Sequence, residues 1–101
     1  MQKFIVRVDS ELCDLVPGFL ARKRRDALTI LAGVSDDRID FETVSRIAHK
    51  LKGEGGSYGF DAISIYGAEI EQAARNHDAL AIRDCAKELS AYLDTVQIEY
   101  E

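Results

Sequence analysis

Residues 40–60 read Asp40-Phe41-Glu42-Thr43-Val44-Ser45-Arg46-Ile47-Ala48-His49-Lys50-Leu51-Lys52-Gly53-Glu54-Gly55-Gly56-Ser57-Tyr58-Gly59-Phe60. Phe41, Val44, Ile47, Ala48 and Leu51 recur every three or four residues, which is the period of a helix with one buried face. Asp40, just before the first of them, carries a good N-cap side chain. The cluster Gly55 to Gly59 breaks the pattern. Two further breaker runs, Gly33 to Asp40 and Asn76 to Asp78, divide the rest of the chain in the same way.

Each remaining piece also has helical period. From about Ser10 to Ala32 the stripe is Val16, Phe19, Leu20, Ala27, Ile30, Leu31 and Val34. Pro17 lacks an amide hydrogen and clashes with the carbonyl four residues back, so a short helical piece is expected before it and a longer helix from Pro17 onward. Gly33 reads as its C-terminal cap. A third helix is expected from about Phe60 to Asn76, with Ile63, Gly67, Ile70 and Ala74 inward. A fourth opens at Asp78, again an N-cap, and buries Ile82, Cys85, Ala86, Leu89, Leu93 and Val96. Four amphipathic helices with short connections predict an all-α fold, an up-down antiparallel four-helix bundle. The ends differ. Phe4-Ile5-Val6-Arg7-Val8 is β-branched, and Val96-Gln97-Ile98-Glu99-Tyr100-Glu101 alternates apolar and charged, so the termini either pair as two short strands or fray.

Length and composition bound the rest. The 101 residues are 47% hydrophobic and 31% charged, ordinary values for one folded domain, here 1–101. A net charge of −5 argues against nucleic acid as a partner. No apolar run approaches the roughly 20 residues that span a bilayer. The leading Met1-Gln2-Lys3-Phe4-Ile5-Val6-Arg7-Val8 has too short an apolar core for a signal peptide, with Arg7 interrupting it. Cys13 and Cys85 form no CxxC pair and read as reduced thiols, which with the absent leader predicts a cytoplasmic location.

His49 stands out. At about 100° per residue it falls roughly 150° from the apolar centre of its helix, so it faces solvent. Ser45 lies one turn before it and Glu42 two turns before. Lys52 follows at three residues, Gly53 at four, and Gly56 near two turns on. A helix-interior glycine costs about 1 kcal/mol against alanine. Gly53 and Gly56 therefore suggest a bare backbone that lets another protein approach the imidazole, the plainer alternative being a flexible helix terminus. Imidazole is nucleophilic and titrates near neutral pH. A neutral ring nitrogen can accept a phosphoryl group covalently. Such transfer is mainly positioning and charge stabilisation, which Lys52 can supply.

The string His49-Lys50-Leu51-Lys52-Gly53, with Gly59 ten residues after the histidine, resembles the histidine phosphotransfer (HPt) domain of bacterial two-component phosphorelays. The resemblance takes in Glu11-Leu12, Val16-Pro17-Gly18-Phe19-Leu20, Arg24-Arg25-Asp26 and Tyr58-Gly59-Phe60, nearly the whole chain. It implies a stand-alone phosphoryl carrier rather than a piece of a hybrid kinase. It further implies that His49 is phosphorylated, Lys52 neutralises the phosphoryl group, Gly53 gives the partner room and Gly59 closes the turn into the third helix. The implied partners are response-regulator receiver domains or the receiver of a hybrid sensor kinase. Glu71 occupies a position where such domains often carry an acid, sometimes near the histidine. The residue after the motif glycine is usually small; here it is Glu54, whose carboxylate either faces an acidic partner and repels it or points sideways.

Other candidates are weaker. His77, between Asn76 and Asp78, reads as a loop residue. Cys13, His49, His77 and Cys85 match no zinc-finger spacing. Arg22-Lys23-Arg24-Arg25 reads as a solvated helix face or as a docking patch for an acidic partner. No Gly-Lys-Ser or Gly-Lys-Thr follows the glycines, so no ATP-binding loop and no kinase activity are expected, and no cofactor is called for. The alternative to a phosphoryl carrier is an interaction module that binds a receiver or another helical partner without transfer.

Overall fold

The computed structural model describes residues 4–35 and 38–101. Met1 to Lys3 of the leading segment, and Asp36 and Asp37 of the first breaker run, lie outside the described residues. In chain order come strand β1 (Ile5–Val8), a 3₁₀ turn (Ser10–Leu12), helix α1 (Val16–Gly33) and helix α2 (Phe41–Gly55). A second 3₁₀ turn (Gly56–Tyr58), α3 (Asp61–Arg75), α4 (Ala79–Thr95) and strand β2 (Gln97–Tyr100) follow.

Local signals set most of the helix ends. The Asp40 carboxylate accepts from the Thr43 amide at 3.0 Å and starts α2. The Asp78 carboxylate accepts from the Ala81 amide at 3.1 Å and starts α4. Pro17 stands in the first turn of α1, where its missing N–H costs nothing, and the expected short piece before it is the 3₁₀ turn capped by Asp9. Gly33 is not the cap expected of it. It is the last residue of α1, and Val34 follows at φ −109°, outside the left-handed region. The orphan carbonyls there find other donors: Ser35 Oγ bonds Leu31 O at 2.6 Å and an Arg83 guanidinium nitrogen bonds Val34 O at 2.8 Å. With the carbonyls satisfied by side chains, no left-handed glycine is needed.

The helices alternate up and down, with α1 beside α4, α4 beside α3, and α3 beside α2 in the most extensive contact. Phe19, Ile30, Leu51, Phe60, Ile63, Ile70, Ile82, Leu89 and Leu93 are fully buried between them. Val96 falls outside α4: the helix stops at Thr95, and Val96 is extended and half-buried. Two glycines permit the tight α2–α3 contact. A Cβ on Gly67 would lie 2.5 Å from Lys52 N and 2.8 Å from Ala48 O. A Cβ on Gly55 would lie 2.6 Å from Ser64 N. Both are backbone collisions, which no rotamer relieves.

The terminal strands do pair, and they pair in parallel, Ile5 opposite Gln97 and Val8 opposite Tyr100. Parallel neighbours need a long crossover; here the whole bundle supplies it. Phe4 packs edge-on against Tyr92 at 5.1 Å, which fastens the strands to α4. Among the described residues no helix is long and apolar enough to cross a membrane.

Candidate functional site

His49 projects from the middle of α2 with 73% of its side chain exposed, as its position opposite Val44, Ala48 and Leu51 requires. Its ring is nevertheless held. Nδ1 lies 2.8 Å from Oε2 of Glu71, which reaches across from α3. Glu71 lies one helical turn past Gly67, so the close backbone approach at Gly67 is what brings the carboxylate within reach.

Glu71 is itself buried, at 4% exposure, and none of its charge is wasted. Oε1 lies 3.6 Å from Lys52 Nζ, and Oε2 lies 3.7 Å from an Arg75 guanidinium nitrogen. Burial pushes the carboxyl's pKa up, but the His49 hydrogen bond and the Arg75 and Lys52 charges outweigh it and hold it below the ordinary 4.5. An ionised carboxylate only accepts, so Nδ1 is the donor. In the neutral ring the lone pair then sits on Nε2, at the exposed edge.

Lys52 is half exposed beside this pair. Gly53 faces open space, with nothing within 4 Å of the position a Cβ would take. Gly56 is exposed too, but α2 ends at Gly55, and Gly56 already belongs to the 3₁₀ turn rather than to the His49 face of the helix. Gly59 adopts φ +85°, a left-handed conformation that closes the turn into α3. Glu54 points sideways: its carboxylate pairs with Lys23 on α1. The Lys23 amine also lies 3.4 Å from Asp26 and 5.4 Å from the centre of the Phe19 ring.

The basic run on α1 is therefore not a uniformly solvated face. Lys23 is 2% exposed, and Arg24 bonds the Leu93 carbonyl at 2.9 Å, leaving Arg22 and Arg25 in solvent. His77 is a loop residue, at φ +52°, with its ring stacked on Phe41 at 4.5 Å. It closes the far end of a shallow groove of about 470 Å³ that runs from His49 past Ser45, Arg46 and Arg75. Cys85 is buried, and burial together with its hydrogen bond to Glu69 pushes the thiol up to about 12, so it is no competing nucleophile. Cys13 and Cys85 carry free thiols. Among the described residues no group of three or more His, Cys, Asp or Glu side chains is placed to hold a metal ion.

The structure thus brings His49 and Lys52 together with Glu71 and leaves Gly53 open beside them. A family model for the Hpt domain matches residues 10–99. The chain belongs to the Hpt domain family. No curated protein and no solved structure gives a significant match. Membership implies a part in histidine phosphotransfer within phosphorelays, as a carrier rather than an enzyme, with receiver domains as the interacting class. Arg75 and the Lys23–Glu54 pair are features of this Hpt domain that motif reading missed. Lys23 did leave a signal, since it stands on the apolar stripe of α1, four residues from both Phe19 and Ala27. Arg75 lies four residues beyond Glu71, the spacing of an ion pair within one helix.

Proposed function

We propose that the chain carries a phosphoryl group on His49, exchanging it with the aspartates of receiver domains, whether of response regulators or of a hybrid sensor kinase. The observation that carries this reading is the division of labour on one ring: Nδ1 is held by a buried carboxylate while Nε2 is exposed. The Nε2 lone pair attacks the phosphorus of an aspartyl phosphate. The P–O bond to the aspartate breaks, and its electron pair leaves on the carboxylate. The reverse step passes the group on. Through both, Glu71 accepts from Nδ1–H, fixes the tautomer and offsets the positive charge that the ring gains on phosphorylation. In this reading Lys52 neutralises phosphoryl oxygens and Gly53 leaves clearance for the incoming protein. The whole of 1–101 acts as one Hpt unit, in the cytoplasm. The two unpaired thiols support a reducing compartment.

The test is His49→Gln, followed by intact-mass analysis at neutral or alkaline pH, since phosphohistidine is acid-labile. Labelling by a phosphorylated receiver is expected to vanish while the helical circular dichroism and melting midpoint stay near the parent's. An exposed substitution of this kind costs under about 0.5 kcal/mol. Retained labelling contradicts the assignment, and a variant that binds receivers while the parent takes no label favours an interaction module.

A further inference from the structure

Lys23 and Glu71 are the two buried charged side chains among the described residues. Glu71 belongs to the His49 site; Lys23 has no part in it. A lysine inside an apolar stripe needs a reason, because replacing a buried ion pair with apolar side chains of like volume is often neutral or stabilising. The Lys23 amine reaches across from α1 to Glu54, the residue after Gly53, and holds that carboxylate against α1. The hydrogen bond from Lys23 holds the Glu54 carboxyl below the usual carboxylate range, against the opposing push of its partial burial, so the group it restrains is charged.

Two other cations act on Glu54, namely Lys50 and Arg22. Lys50 lies four residues before Glu54 on α2, the spacing of a helical ion pair, and directly follows His49. A Glu54 released from Lys23 would have Lys50 as its partner on the same helix, and turning to it would bring a negative charge to the residue next to His49.

We propose that Lys23 is a positioning residue of this carrier, holding the Glu54 carboxylate away from the open Gly53 surface over which an anionic, phosphorylated receiver reaches His49. The proposal rests on the carrier reading above. Lys23 touches neither phosphoryl group nor partner; it acts through Glu54. Like charge facing an approaching partner slows association and makes the rate salt-dependent.

The experiment compares the parent, Lys23→Met and Lys23→Met/Glu54→Ala, each as the full chain. One donor is a receiver domain chosen because it transfers to the parent, phosphorylated on its aspartate with acetyl phosphate. The other is phosphoramidate, which needs no protein-sized approach. Lys23→Met is expected to slow receiver transfer by about 3- to 10-fold at low salt, and the deficit should shrink as salt screens the carboxylate. Phosphoramidate labelling should stay within about twofold of the parent, and the double variant should recover receiver transfer to within about twofold. Recovery on removing Glu54 is the readout that a merely structural Lys23 would not give. Parent-rate transfer in Lys23→Met overturns the proposal, as does a deficit that persists in the double variant or falls equally on both donors. If Lys23→Met does not fold, Lys23→Gln, alone and with Glu54→Ala, carries the same comparison. A parent that neither donor labels contradicts the carrier reading itself, a failure distinct from a labelled parent whose variants behave alike.

Discussion

At the scale of single residues the site turns on Glu71. Its folded pKa lies below 4.5, so the His49, Lys52 and Arg75 contacts stabilise the fold above that pH and cease to do so as the pH falls through the folded value. Glu54, held low by Lys23, titrates in the same direction. Glu71→Gln should therefore be less stable than the parent near neutrality, and the gap should narrow on acidification below about 4.5, as read from urea midpoints at a series of pH values. The same variant should label with phosphoramidate on the order of 10-fold more slowly, because an amide oxygen accepts from Nδ1–H without its charge. A gap that is constant down to pH 3 would show that the ionised carboxylate contributes nothing to stability.

Residue-level reading of the sequence went as far as the helix projection allows. The outward direction of His49 and the neighbouring places of Lys52 and Gly53 follow from spacing on one helix. The contact with Glu71, 22 residues on, does not, because it depends on how α3 lies against α2. Glu54 presents the same difficulty in reverse. Its identity suggested a charge near the partner surface, and only the packing of α1 shows that the charge is turned aside.

The elements explain why Glu71 arrives where it does. Gly67 removes the Cβ that would strike Lys52 N and Ala48 O, and Gly55 removes the one that would strike Ser64. These contacts set the distance between α2 and α3. One substitution should accordingly have opposite effects on the two helices. Gly53→Ala, in a helical position with open space around it, should raise stability by up to about 1 kcal/mol. Gly67→Ala should lower it by about 1 to 3 kcal/mol and slow labelling, since the helices must part and draw Glu71 from His49. Thermal and urea unfolding of the two variants checks the signs; a stabilising Gly67→Ala would remove the close contact from the account. Helical period already puts the two glycines on different faces, Gly53 beside the exposed His49 and Gly67 inward. Gly67 was readable as inward-facing from its period, but the closeness of the neighbouring backbone had no signature.

Across the whole molecule, the up-down bundle was legible from four apolar stripes and two aspartate caps. The terminal residues are compatible with pairing or fraying, and the parallel sense has no local signal, since alternation along a strand says nothing about direction. Element order alone does not set it; the register does, with Ile5 opposite Gln97 and Val8 opposite Tyr100, and the chain between Val8 and Val16 turns back into α1. The ribbon contributes to the core through Val8, which is 2% exposed. Val8→Ala should cost about 1 to 2 kcal/mol by chemical denaturation while phosphoramidate labelling keeps its parent rate, because Val8 contacts neither His49 nor Glu71. Equal loss of labelling would mean that the strands reach the site.

The central claim is that His49 accepts the phosphoryl group on Nε2 while Glu71 holds the proton on Nδ1. Nitrogen-15 NMR of the phosphoramidate-labelled chain, with long-range proton–nitrogen correlation and phosphorus coupling, reads both atoms at once. One phosphorylated imidazole is expected, that of His49, with phosphorus on Nε2 and the proton on Nδ1. Phosphorus on Nδ1 of His49, or on His77, would contradict it.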